Sequence, residues 1–205
     1  MNGDVFDGAS VSRHDSIMWE SKPSVQLELE ACEERLEEIV EVCGKIRKIW
    51  PLGNHDARFE TRLATQVPEY AKVHGFHLKD FFPFWEPCWS LFINGTTVIK
   101  HRARGGIHAP WNNTMNAGLS IVTGHLHSQK VTPFTDYTGT RWGVDAGTMA
   151  EAFGPQFAGY MEDNARNWRS GFAMLTFADG ELLQPELIRV HSEGKVDFRG
   201  KLIAV

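Results

Sequence analysis

The amino-acid sequence predicts an α/β fold, and three features predict it. Apolar residues recur at helical spacing across residues 23–44, short β-branched runs end in glycine or histidine, and Asn94-Gly95 separates two such runs. A chain of 205 residues can bury a sizeable core and is read as one domain, 1–205. No run of about eighteen apolar residues is present for a membrane span, and no signal peptide opens the chain, so a cytoplasmic protein with no membrane partner is expected.

In residues 23–44, Leu29, Cys32, Leu36, Ile39, Val40 and Cys43 share one helical face, with Ser24 as N-cap and Gly44 as terminator. The acidic run Glu28, Glu30, Glu33, Glu34, Glu37, Glu38 and Glu41 covers the remaining face and is expected to be solvated. Residues 45–52 form a short strand that delivers Asn54 and His55 to its end, and a second helix spans 59–67 before Pro68. The aromatic stretch 81–87 resists helix and is assigned to core packing, with a lid or partner surface as the alternative. Residues 88–94 and 96–101 read as a hairpin around Asn94-Gly95, which leaves His101 at a strand end.

Beyond it, 111–117 is helical, and the buried strand 119–123 runs directly into Gly124-His125. Strands follow at 130–133, 140–144, 171–177 and 182–190, the last two joined at Asp179-Gly180. Cys32, Cys43 and Cys88 lack metal-type spacing and are read as buried free thiols. A net charge of −5 argues against indiscriminate coating of nucleic acid and leaves a local basic patch open.

The chemistry concentrates in Gly53-Asn54-His55-Asp56 and Gly124-His125-Leu126-His127, with Gly3-Asp4-Val5-Phe6-Asp7 and His101 beside them in sequence order. Alone, the first is equally a turn, with Gly53 supplying backbone freedom and Asn54 an Asx-type bond. In the second, an extended backbone would send His125 and His127 to one side while Leu126 packs behind. Imidazole, amide and carboxylate groups at strand ends form a mixed nitrogen and oxygen set suited to several divalent metals.

Taken in order, these blocks resemble the calcineurin-like metallophosphoesterase family, whose pattern runs D-x-H, G-D-x-x-D, G-N-H-D/E, a single His after a strand, and G-H-x-H. All but the first block stand here, within residues 1–150. The resemblance implies a β-sandwich flanked by helices, lacking its first strand and helix, and a phosphomonoester or phosphodiester substrate; the family's substrates range from phosphoproteins to nucleic acids, and a nucleotide or nucleic acid is the expectation here. The resemblance also implies that Asp4 bridges two metals, that Asn54, His101 and His125 complete the second site, and that His127 belongs to the first. Manganese is the expected metal, with iron, zinc, nickel and cobalt open. His55 would be the proton donor to the leaving oxygen, with Asp56 orienting its ring.

Arg58 and Arg102 are candidate phosphate contacts, and His108 is open between substrate contact and a structural role. Asp145 is read as capping a turn. The absent D-x-H block leads to the expectation of a shortened chain, a late start codon or a natural variant with one impaired site. An in-frame upstream extension of about thirty to fifty residues would then encode a strand ending in D-x-H and a helix. The alternative reading is a catalytically weak form that binds metal or phosphate, or serves as an interaction module.

Overall fold

In the computed structural model the described residues are 1–205 apart from 18, 152, 153, 155, 156, 158–160, 162, 163, 165, 166 and 193. They form two compact units, Met1–Trp89 and Ser90–Val205. The architecture is mixed α/β, with several sheets and three α-helices among the described residues.

The first unit is organised by α1 (Val25–Cys43). Ser24 caps it, its hydroxyl accepting from the Leu27 N–H at 3.2 Å, and Gly44 ends it at φ 56°. Leu29 and Leu36, two turns apart, bury against Phe6, Trp50, Phe59, Leu78, Phe82 and Trp85, with Cys32 and Val40 packed at the edge. Ile39, expected on the same face, is 45 % exposed, so the buried stripe is narrower than its periodicity suggested. The following strand, β1 (Ile49–Pro51), pairs in parallel with β2 (Glu86–Cys88).

Between these strands lie α2 (Asp56–Gln66) and the aromatic stretch. The second helix begins three residues before the expected start, because Asp56 rather than Phe59 opens its first turn. Trp50 meets Phe82, and Phe6 meets Phe59, edge to face at 5.4 and 5.8 Å between ring centres. Phe82 and Trp85 are core residues as expected, whereas Phe84 is exposed. Cys88 closes β2 and does not enter the hairpin that sequence assigned it to.

In the second unit, β3 (Leu91–Ile93) and β4 (Thr97–Ile99) form the hairpin, with Asn94 and Gly95 at φ 52° and 70°. A crossover through α3 (Ala109–Ala117) leads to β5 (Ser120–Thr123), parallel to β4. The strands β6 (Lys130–Asp136) and β7 (Gly139–Asp145) complete a five-stranded sheet of order β3-β4-β5-β7-β6, with β5 and β7 parallel. Its central strands are buried, which explains the continuous apolar run Ile121-Val122.

The remaining strands are β8 (Gly171–Met174), β9 (Phe177–Ala178), β10 (Glu181–Leu182), β11 (Glu186–Ser192), β12 (Lys195–Phe198) and β13 (Lys201–Ala204). Each long strand expected in this region is split in two, and β9 and β10 make a separate small hairpin at Asp179-Gly180. The antiparallel sheet β13-β12-β11-β8 includes a terminal hairpin at Arg199-Gly200 that periodicity did not reveal.

Candidate functional site

In the first unit the Gly53-Asn54-His55-Asp56 turn leaves β1 and opens α2, and its function depends on what Asp56 holds. This carboxylate is 2 % exposed. It accepts from the backbone N–H groups of Asp4, Val5, Phe6 and Gly53 and from the Trp50 indole, at 2.7–3.1 Å. Burial pushes the Asp56 carboxyl above its usual range, against the opposing pull of the donors from Gly53, Phe6 and Trp50. The two distant segments 3–7 and 53–56 are thereby joined through one side chain. Asp4 returns a bond, its Oδ1 accepting from the His55 N–H at 2.8 Å.

Gly53 is required by this closeness, since a Cβ there would stand 2.0 Å from Asp4 Oδ1 and 2.4 Å from its backbone nitrogen. Asp4 itself has φ 53°, a left-handed conformation that an aspartate tolerates better than most residues.

Asp56 therefore does not orient the His55 ring, contrary to expectation. Its oxygens are spent on backbone donors, and Asp7 takes that role, with Oδ1 2.5 Å from His55 Nδ1. Arg58 closes the other side, its Nη2 lying 2.9 Å from His55 Nε2 while Nη1 donates to the Asp7 carbonyl at 2.8 Å. A guanidinium can only donate, so Nε2 is the acceptor and the Nδ1 proton faces Asp7. The bond from His55 holds the Asp7 carboxyl below its usual range.

Sequence reasoning also placed Glu28 in the solvated run. Instead its Oε1 accepts from the Gly8 N–H at 2.6 Å and steadies the loop that carries Asp7, and burial pushes this carboxyl up. The second acid of the G-D-x-x-D block was the signal for Asp7. Nothing in the periodicity of α1 distinguished Glu28 from its exposed neighbours.

The second unit places its histidines at the C-terminal ends of adjacent parallel strands, the edge of an α/β sheet where ligands bind. His101 follows β4 and His125 follows β5, and the His101 carbonyl accepts from the N–H groups of Gly124 and His125 at 3.1 and 3.2 Å. His101 Nε2 and His125 Nδ1 face one another at 3.2 Å, and His101 is 3 % exposed.

His127 does not follow the extended-strand reading. The chain turns at His125-Leu126, and His127 takes φ 58°, so alternation of faces no longer applies. Its ring meets Trp168 and Phe157, at 4.5 and 5.9 Å between centres. Within the second unit His101 and His125 bring together two ring nitrogens that could ligate a metal ion, and His127 is not part of that pair. Asn54 Oδ1 is buried and accepts no hydrogen bond, which fits an amide oxygen placed for a cation.

Of the candidate substrate contacts, Arg58 is bound to Asp7 and His55, whereas Arg102 and His108 are exposed in the loop before α3. Asp145, at the end of β7, is fully buried and does cap a turn: it accepts from Gly147 N at 3.1 Å and Ser128 Oγ at 3.2 Å. Burial raises its pKa to about 6. No helix among the described residues is long and apolar enough to cross a membrane.

No family model matches the chain, and no solved structure matches it. It is similar to the Gene 54 protein of Mycobacterium phage L5, 31% identical over 155 residues that make up 67% of this chain and 59% of that protein. It is also similar to the Gene 54 protein of Mycobacterium phage D29, 30% identical over the same length and with the same shares. The chain thus spans 59% of the length of the curated relatives it matches.

Proposed function

We propose that this chain is a metal-dependent phosphoesterase of the calcineurin-like kind, acting on a phosphomonoester or phosphodiester of a nucleotide or nucleic acid. The observation that carries this reading is the Asp7–His55–Arg58 triplet, set in a turn that Asp56 ties to the Asp4 loop. The triplet engages both ring nitrogens of His55 and so fixes its orientation and tautomer.

The family resemblance assigns Asp4, Asn54, His101 and His125 to a divalent ion, manganese first. The buried Asn54 oxygen and the paired imidazoles supply donors of the right chemistry. Such an ion, when bound, neutralises phosphoryl charge and lowers the pKa of water.

The chain's own part is proton handling and charge placement. His55 delivers a proton from Nε2 to the leaving oxygen, and Asp7, bonded to Nδ1, stabilises the ring while it is charged. For Nε2 to carry that proton, Arg58 must turn away from it and the ring must take a proton from solvent before the ester bond breaks. An incoming phosphate provides the reason, because a guanidinium binds phosphate more strongly than a neutral imidazole. Arg102 and His108, in the exposed loop that follows His101, would contact the substrate's phosphate.

The alternative, a weakly catalytic form that binds metal or phosphate, draws on His127, whose ring is committed to Trp168 and Phe157. Metal analysis after exhaustive dialysis, paired with hydrolysis of an activated phosphodiester in manganese, tests both readings. A single retained equivalent with chelator-sensitive turnover supports hydrolysis. Retained metal without turnover leaves the binding form, and no retained metal refutes metal-dependent hydrolysis.

A further inference from the structure

The acidic residues of this chain are unevenly placed. It has 26 of them and a net charge of −5, yet no Asp or Glu occurs between Glu86 and Asp136. Lys100, Arg102, Arg104 and Lys130 all fall in that interval, and the first three flank His101 and its following loop. Among the described residues Lys100, Arg102 and Arg104 form no ion pair. Within an acidic chain this segment therefore has no neighbouring carboxylate in sequence to compensate it.

The loop bearing these charges, residues 102–108, is exposed along its whole length but fixed at two points. Asn113 on α3 is 3 % exposed and spends both ends of its amide on Arg104. Its Oδ1 accepts from the Arg104 N–H at 3.0 Å, and its Nδ2 donates to the Arg104 carbonyl at 3.3 Å. Lys130 Nζ donates to the Ile107 carbonyl at 2.7 Å. A buried amide used only to hold an exposed loop indicates that the loop's conformation matters, since ordering it in advance lowers the entropy lost on binding. The loop runs into α3, and Trp111 in the first turn of that helix is 42 % exposed.

We infer that the 102–108 loop is a docking element for single-stranded nucleic acid. Arg102 and Arg104 meet successive phosphates, Lys100 and Lys130 add field, and the Trp111 face stacks on a base. This deepens the proposed function by assigning its substrate as a polynucleotide strand, in which phosphates repeat along the chain and a base is available to stack.

The test is binding of a fluorescent oligothymidylate to the full chain in chelator, where no turnover intervenes, across a series of salt concentrations. On a single strand each neutralised phosphate contributes about 0.7 to the slope of log affinity against log salt, so R102Q/R104Q should lower its magnitude by about 1.4. Exposed Lys79 of the first unit serves as control, and K79Q should leave the slope unchanged.

No salt-dependent binding by the parent, or an unchanged slope in R102Q/R104Q, overturns the inference. So does inorganic polyphosphate that competes as well as the oligonucleotide at equal charge, because the stacking contact would then add nothing. A protein that binds the strand but never hydrolyses an activated phosphodiester keeps this inference and loses the hydrolytic reading. One that hydrolyses the small ester but ignores the strand loses this inference alone.

Discussion

Replacing Asp56 by alanine should unfold the candidate site before it changes any chemistry. The carboxylate gathers five donors, three of them in buried bonds: the Phe6 N–H, the Gly53 N–H and the Trp50 indole. Each buried donor left unsatisfied costs about 1–3 kcal/mol, and neighbouring losses are not additive, so we expect about 3–5 kcal/mol in all. That is a large fraction of the roughly 5–15 kcal/mol by which folded proteins are stable.

Asp56→Asn should be little better, although it keeps shape and volume. Oδ1 accepts from Val5 and Phe6, and Oδ2 from Asp4, Gly53 and Trp50, so either orientation of the amide turns its NH2 toward at least two donors. Urea denaturation followed by tryptophan fluorescence reads both variants, and Trp50 reports from within the network itself. An asparagine variant within about 0.5 kcal/mol of the parent, the range of neutral surface changes, would refute the reasoning.

Other outcomes follow from single side chains. A folded pKa of about 6 for Asp145 against an ordinary 3.8 means that the folded state holds the proton more tightly, so stability falls as pH rises between those values and stays low above them. Asp145→Asn should remove that slope and gain at most about 3 kcal/mol at pH 7, less the cost of turning its NH2 toward one of the donors at Gly147 and Ser128; denaturation curves at pH 4 and 7 that change in parallel would contradict it. Burial raises the Cys32 thiol to about 12, and its Sγ lies 3.3 Å from the Val5 carbonyl, so under native conditions it should be the slowest of the three thiols toward a disulfide reagent, as peptide mapping of timed samples would show. Gly53→Ala should displace Asp4 and weaken divalent metal binding as well as stability, and calorimetry with manganese giving parent-like affinity would count against the close approach.

Legibility divided along physical lines. Ser24, Gly44 and Asn94-Gly95 act through their nearest neighbours, so local signals placed α1 and the first hairpin within a few residues. The strand ends bearing Asn54, His101 and His125 were also legible, because apolar runs stop where those residues begin. What failed was longer in range. Asp7, Glu28 and Asp56 owe their roles to partners across the first unit, and a residue number carries no trace of that. His127 failed for a different reason, since one left-handed residue ends the alternation on which the GHLH reading depended. The split strands between Gly171 and Ser192 and the terminal hairpin lack strong periodicity, leaving their turns as the better guide.

His55 delivers a proton and His125 holds metal in the proposed scheme, and one paired measurement separates these jobs. The initial rate on an activated phosphodiester in manganese should fall at least about a hundredfold in His55→Ala while its metal content stays at the parent's level. His125→Ala should lose both together. A His55 variant as fast as the parent, or a parent whose rate is indifferent to metal, would rule out metal-dependent hydrolysis with His55 as the acid.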